Sequence, residues 1–124
     1  MQGCAPQDDN YEMRVRESFS RQKLMQTIGA ALTKVMPGEV EISLEFRDEL
    51  TQQHGFIHAG IVATLADTAC GYAAFSLMAP DATVLTVEYK INLLSPAAGE
   101  SLIALGKVTR RGALFPCAQE MCSL

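Results

Sequence analysis

Residues 58–78, HAGIVATLADTACGYAAFSLM, constrain the fold more than any other stretch of this 124-residue chain. The 21 residues include no Lys, Arg or Glu and a single acid near the middle, Asp67. At ~1.5 Å per residue a helix of this length reaches across a bilayer. Three features argue against that. Eight of the residues are Ala or Gly, which favour insertion weakly, and no basic anchors flank the stretch. A carboxylate at the centre would also cost about 2.5–3.5 kcal/mol on insertion scales. The stretch therefore reads as a helix buried on most sides by its own protein, with an acid that has no counter-charge beside it.

The rest of the composition sets bounds. Hydrophobic residues make up 48% and charged residues 19%, the balance of a globular domain. A net charge of −4 speaks against nucleic acid as a partner, since such proteins normally carry a basic stripe. Cys4, Cys70, Cys117 and Cys122 show neither CxxC pairing nor zinc-ligand spacing, and a reduced, cytoplasmic setting is the simplest expectation. The N-terminal MQGCAPQDDNYEMRVRES is polar and lacks the apolar core of a secretory signal, so neither a secretory signal nor a lipoprotein anchor at Cys4 is expected. Residues 1–10 are expected to be a flexible N-terminus and 11–124 a single domain.

Periodicity places the elements. From Tyr11 to about Ile28, Val15, Phe19, Met25 and Ile28 mark one apolar face, predicting a helix that Gly29 stops. After a Pro37-Gly38 turn, Val40, Ile42, Leu44 and Phe46 alternate with polar residues, predicting a half-buried strand. TQQHGFI (51–57) is a loop in which Gly55 permits a tight backbone. Beyond the central helix, TVLTVEYKINLLSP (83–96) predicts a long strand with Leu85, Val87, Tyr89, Ile91 and Leu93 on one side. ESLIALGKVTRRG (100–112) predicts another, turning at Arg110-Arg111-Gly112, and ALFPCAQEMCSL a short last strand that Pro116 confines to an edge or bulge. Without helical crossovers, the strands after the helix should pair antiparallel, giving an α+β layout around a single central helix.

These residues resemble the hotdog-fold acyl-CoA thioesterases of the phenylacetate-pathway (PaaI-like) family. The resemblance runs from about Tyr11 to Gly112. It rests on His58-Ala59-Gly60, on Leu65-Ala66-Asp67, on the preceding QQHGF, and on VLTVEYKINLLSP with its Ser95-Pro96. It implies a curved antiparallel sheet wrapped around the long helix, with an N-terminal helix beside it, and hydrolysis of an acyl-CoA to free acid and coenzyme A. Asp67 matches the catalytic acid, acting as nucleophile or as general base on a water. His58 matches the residue that helps hold the thioester, and Ala59 the position whose backbone N–H binds the thioester oxygen, usually glycine in the family. Gln52, with Gln53 beside it, matches an amide ahead of the histidine, and Thr86 a hydroxyl that positions the attacking water. Gly60 continues the helix N-terminus against the substrate, and Arg110 and Arg111 are candidates for the phosphates of coenzyme A. No cofactor is expected, coenzyme A being part of the substrate. The family site lies between subunits, which implies a homodimer or a dimer of dimers. Family members continue with further strands, so the C-terminal part of the sheet is expected to be shortened.

The chemistry agrees without the resemblance. A helix N-terminus offers unpaired N–H groups and about half a positive charge, suited to the oxyanion that forms when a thioester carbonyl is attacked. Asp67 has Gly60, Ala63, Thr64, Cys70, Gly71 and Ala74 as helical neighbours, none of which can pair with its charge. An acid so placed is costly unless it is used or faces a wet cleft. His54 and His58 are four residues apart, as in some zinc sites, but Gly55 puts them on a loop and no third ligand follows, so no metal is expected. The alternative to catalysis is a hotdog protein that only binds an acyl or other apolar ligand.

Overall fold

The computed structural model describes residues 5–109 and the backbone of residues 118–123. Its elements are helices α1 (Tyr11–Ser20) and α2 (Lys23–Ile28), strands β1 (Ala30–Met36) and β2 (Glu39–Glu45), a 3-10 turn (Asp48–Leu50), helix α3 (Ala59–Phe75), and strands β3 (Ser101–Lys107) and β4 (Ala118–Ser123). The four strands form one antiparallel sheet in the order β1-β2-β3-β4, with α3 packed across it.

The sheet buries one face by simple alternation. Val40, Ile42 and Leu44 of β2 and Leu102 and Ala104 of β3 are almost fully buried, and they meet Leu65, Ala69 and Ala73 of α3. The small residues of the helix allow this close approach. At Gly106 the requirement is absolute, because a Cβ there would lie 2.3 Å from the backbone carbonyl of Ala69. Pro37 and Gly38, the latter at φ +76°, close the β1–β2 hairpin with a two-residue loop. Buried Ser76 ties that loop to the end of α3, accepting from Gly38 N–H at 2.8 Å and donating to the Ala73 carbonyl at 2.6 Å. Ser76→Ala leaves the Gly38 N–H without that partner, and chemical denaturation should register a loss of about 1–3 kcal/mol.

Three expectations change. The single N-terminal helix is two helices, broken at Gln22, which is extended (φ −77°, ψ 104°). In one continuous helix Met25 and Ile28 would point roughly 80° and 140° away from Val15. The break lets all three be buried in one core. Residues 30–36, which carried no predicted element, form β1, with an irregularity in register between Leu32 and Lys34 that blurs its alternation. The predicted long strand over 83–96 is not a paired strand: residues 82–94 have no regular structure, and Leu85, Val87, Tyr89, Leu93 and Leu94 are exposed. Their alternation supplies an apolar side, but a strand also needs a hydrogen-bonding neighbour, and none of the described residues provides one.

Ahead of α1, Asp8 pairs with Arg14 at 2.9 Å and Gln7 N–H reaches the Leu77 carbonyl at 3.4 Å. Residues 110–117, with the predicted turn at Arg110-Arg111-Gly112 and Pro116, lie outside the described residues. No helix among the described residues is long and apolar enough to cross a membrane.

Candidate active site

The start of α3 is built by the loop before it. Thr51 and Ile57 form a bridge, Gly55 turns the chain at φ +87°, and Gln52 Oε1 accepts from the backbone N–H groups of His54 (2.6 Å) and Phe56 (3.2 Å). Gln52 therefore shapes this loop through its oxygen, leaving its amide N–H₂ free among the described residues. Gln53 sits exposed in the same loop.

His58 is the N-cap of α3. Its Nδ1 accepts from Gly60 N–H at 2.8 Å, which makes the ring neutral with its proton on Nε2. A Cβ on residue 60 would come within 3.0 Å of that Nδ1, so glycine is what lets the ring fold over the helix end. Ile61 and Val62 N–H both bond the His58 carbonyl. Among the first-turn donors only Ala59 N–H has no partner among the described residues. The sequence placed Ala59 and Gly60 together at the substrate; the structure separates them, with the Gly60 donor engaged by His58 and the Ala59 donor open.

Asp67 lies on a half-buried face of α3, opposite the residues that meet the sheet. Thr86 donates its hydroxyl to Asp67 Oδ1 at 2.6 Å, and no described cation pairs with the carboxylate. The unpaired 82–94 segment thus runs past the acid, and Thr86 bonds it directly. Both line a cavity of about 720 Å³. Along one wall are Ala63, Thr64, Gly71 and Tyr72 of α3; along another are Ser18 and Gln22 from the α1–α2 region. The sequence reading missed Ser18, Gln22 and Tyr72. Tyr72, the one large polar side chain in a run of Ala and Gly after Asp67, was the available signal.

Asp67 and Ala59 of one chain do not meet. Eight residues of helix separate them by about 12 Å along the axis. Among the described residues no three His, Cys, Asp or Glu side chains gather as a metal-ligand set, and Arg110 and Arg111 lie outside the described residues.

Comparison with known proteins places this geometry. Residues 54–114 match the Thioesterase superfamily. A 1,4-dihydroxy-2-naphthoyl-CoA hydrolase of Listeria monocytogenes is 31% identical over 93 residues, 70% of this chain and 76% of that protein. A candidate esterase of Halobacterium salinarum is 33% identical over 101 residues, and the chain spans 66% of its length. Among solved structures, a thioesterase family protein from Silicibacter pomeroyi superposes with a TM-score of 0.81 at 53% identity, covering 82% of this chain and 75% of that one. The PaaI protein of the E. coli phenylacetic acid degradation operon superposes with a TM-score of 0.76 at 20% identity over 86% of this chain and 76% of that one, a likeness of fold. By sequence and by architecture, the chain belongs to the thioesterase superfamily, as a hotdog-fold member of PaaI-like form.

Proposed function

We propose that this thioesterase hydrolyses an acyl-CoA, with Asp67 as the nucleophile or general base and Ala59 N–H as the oxyanion donor. The observation that carries the reading is the Asp67 carboxylate facing a cavity with Thr86 as its one hydrogen-bond partner among the described residues. In that setting it can take a proton from a water whose oxygen attacks the thioester carbon, or attack that carbon itself to give an acyl anhydride that water then hydrolyses; either way the C–S bond breaks, the acyl group leaves as the free acid, and the sulfur takes up a proton that the water supplies, so that coenzyme A leaves as the thiol. The carbonyl oxygen, gaining charge, needs a donor that no protein acceptor already engages, and Ala59 N–H at the positive end of α3 is such a donor. His58 Nε2–H, next to it in the chain, and the amide of Gln52, seven residues before it, are further donors to the thioester. No step in this scheme calls on a metal or an organic cofactor.

The ~12 Å of helix between Ala59 and Asp67 fits the shared site that the family resemblance implies, with the reacting carbonyl between Asp67 of one protomer and Ala59 of the other. A homodimer, alone or in a dimer of dimers, is the assembly that the family resemblance implies for such a shared site, and the exposed apolar 82–94 segment is available for the contact. The CoA-thioester activity named for the Listeria relative supports the substrate class. A cytoplasmic location, with neither nucleic acid nor membrane as partner, fits the composition.

One substitution isolates the oxyanion donor. Ala59 is the first helical residue, where proline is well tolerated, and His58 at ψ 135° has the backbone a pre-proline residue prefers. Ala59→Pro should keep the fold and lower kcat by roughly 10²–10³-fold. Co-refolding it with Asp67→Asn should restore roughly a quarter of wild-type turnover, since half of the dimers are mixed and each has one intact site. No recovery, or a monomer by light scattering at micromolar concentration, would sink the shared-site reading.

A further inference from the structure

The N-terminal helix is fixed to the body of α3. The Tyr72 hydroxyl bonds Ser18 Oγ at 3.0 Å and accepts from Gln22 Nε2 at 3.0 Å. Arg14 stands one turn before Ser18 on the same face of α1, and it reaches past the end of α3. Its Nη1 donates to the Met78 carbonyl at 3.3 Å and its Nη2 to the Ala79 carbonyl at 3.1 Å. The guanidinium lies over the Phe75 ring, 4.6 Å from the centroid, and Nη1 also meets Asp8 Oδ2 at 2.9 Å. Asp8 is held in turn, because its other oxygen accepts from Asn10 N–H at 3.0 Å at the start of α1. The Arg14 and Asp8 side chains are only 16% and 11% exposed.

A cation near the C-terminus of a helix complements its dipole, which accounts for a charge in this place. It does not account for the acceptors. α3 ends at Phe75, and Met78 and Ala79 belong to the turn that leaves it. The Ala79 carbonyl also accepts from Ala82 N–H at 3.0 Å, the bond that closes this turn and begins the 82–94 segment. Among the described residues that segment makes one other hydrogen bond, from the Thr86 hydroxyl to Asp67 Oδ1 at 2.6 Å. The segment is thus fastened first at a turn that Arg14 holds and then, four residues on, at the acid.

Resting on the Asp67 reading above, we propose that Arg14 is a positioning residue for Asp67. It fixes the exit turn of α3, and with it the start of 82–94, where the Thr86 hydroxyl can reach Oδ1. With Oδ1 engaged, Oδ2 is the oxygen left to take the proton or to attack. Arg14 acts through the chain between Ala79 and Thr86 and makes no bond to Asp67 itself. The role calls for arginine, because a planar fork spans two carbonyls and a carboxylate where a single ammonium does not.

The test uses the Asp8→Asn, Arg14→Met double variant, which leaves no half-buried charge unpaired while Ser18 and Gln22 keep α1 docked. Amide hydrogen exchange is followed by mass spectrometry, and kcat and KM are measured on whichever acyl-CoA from acetyl to dodecanoyl the wild type hydrolyses fastest. Peptides covering 79–89 should exchange roughly tenfold faster or more, while those covering β2 stay as in the wild type. kcat should fall by roughly 10–100-fold, the scale of a small misplacement of a reacting group, with KM within about twofold. Arg14→Lys should fall between the double variant and the wild type in both measurements. In a Thr86→Val background the double variant should lower kcat by less than about threefold further, because the connection it breaks is already gone. An equal fall in both backgrounds, or faster exchange throughout the protein, is what a merely structural ion pair produces, and either would overturn the proposal. If the wild type hydrolyses no acyl-CoA, or Asp67→Asn leaves turnover unchanged, the catalytic reading falls instead. Exchange then decides alone: loosening confined to 79–89 upholds Arg14 as the anchor of the segment, and an unmoved pattern removes it.

Discussion

Asp67→Asn should lower thioester hydrolysis by roughly 10²–10⁴-fold while the protein stays folded. The amide is nearly isosteric with the carboxylate, and its oxygen can still accept from Thr86, whose hydroxyl now donates to Asp67 at 2.6 Å. What disappears is the basic and nucleophilic oxygen. The melting temperature should hold or rise, because the charge removed has no described cation beside it and the hydrogen bond from Thr86 can be kept. A structural acid predicts the reverse: activity proportional to the amount of folded protein, and a lower melting temperature. Free-thiol release and a thermal melt on the same preparation separate the two, since activity falls while stability holds only if Asp67 does chemistry. If the wild type releases no thiol from any acyl-CoA, binding of an apolar ligand without catalysis becomes the function of the fold.

Gly106→Ala should be the most damaging small substitution for the fold. The added methyl would fall 2.3 Å from the carbonyl carbon and oxygen of Ala69 and 2.6 Å from the amide nitrogen of Cys70. These are backbone atoms in the middle of α3, so no side-chain rotation can relieve the clash. Either β3 or α3 must move, and both pack the core that contains Leu65, Ala69, Ala73, Leu102 and Ala104. The expected loss is at least about 3 kcal/mol, the upper end of ordinary overpacking. That is a large share of the ~5–15 kcal/mol that stabilises a typical domain. Thermal denaturation should show a fall of roughly 10 °C or more, or no folded protein at all. Gly71→Ala is the internal comparison, because its methyl enters open space and should leave the melting temperature level or higher. Equal melting temperatures for the two variants would contradict the packing described here.

These two positions show how differently the chain discloses its parts. Asp67 was legible from sequence because its signal is local: one acid in a long uncharged run stands out whatever surrounds the helix. The N-terminus of α3 at His58-Ala59, the Gly29 stop, the Pro37-Gly38 turn and the alternation of β2 and β3 were legible for the same reason, each depending on neighbours within one or two turns of chain. Gly106 was not legible as a contact residue, since nothing in SLIALGK says which glycine faces a helix backbone. The break at Gln22 has a similar origin. Its residues read as a continuous helix, and only the demand that Val15, Met25 and Ile28 enter one core bends the chain there. Segment 82–94 carries the pattern of a strand yet pairs with none of the described residues, because alternation is a property of the segment and pairing a property of its neighbours. The choice between Ala59 and Gly60 as open donor, and the joining of Ser18 and Gln22 to Tyr72 some fifty residues away, were decided in three dimensions. A hydrogen bond is made by groups that folding brings together, and the spacing of residues along the chain does not record it.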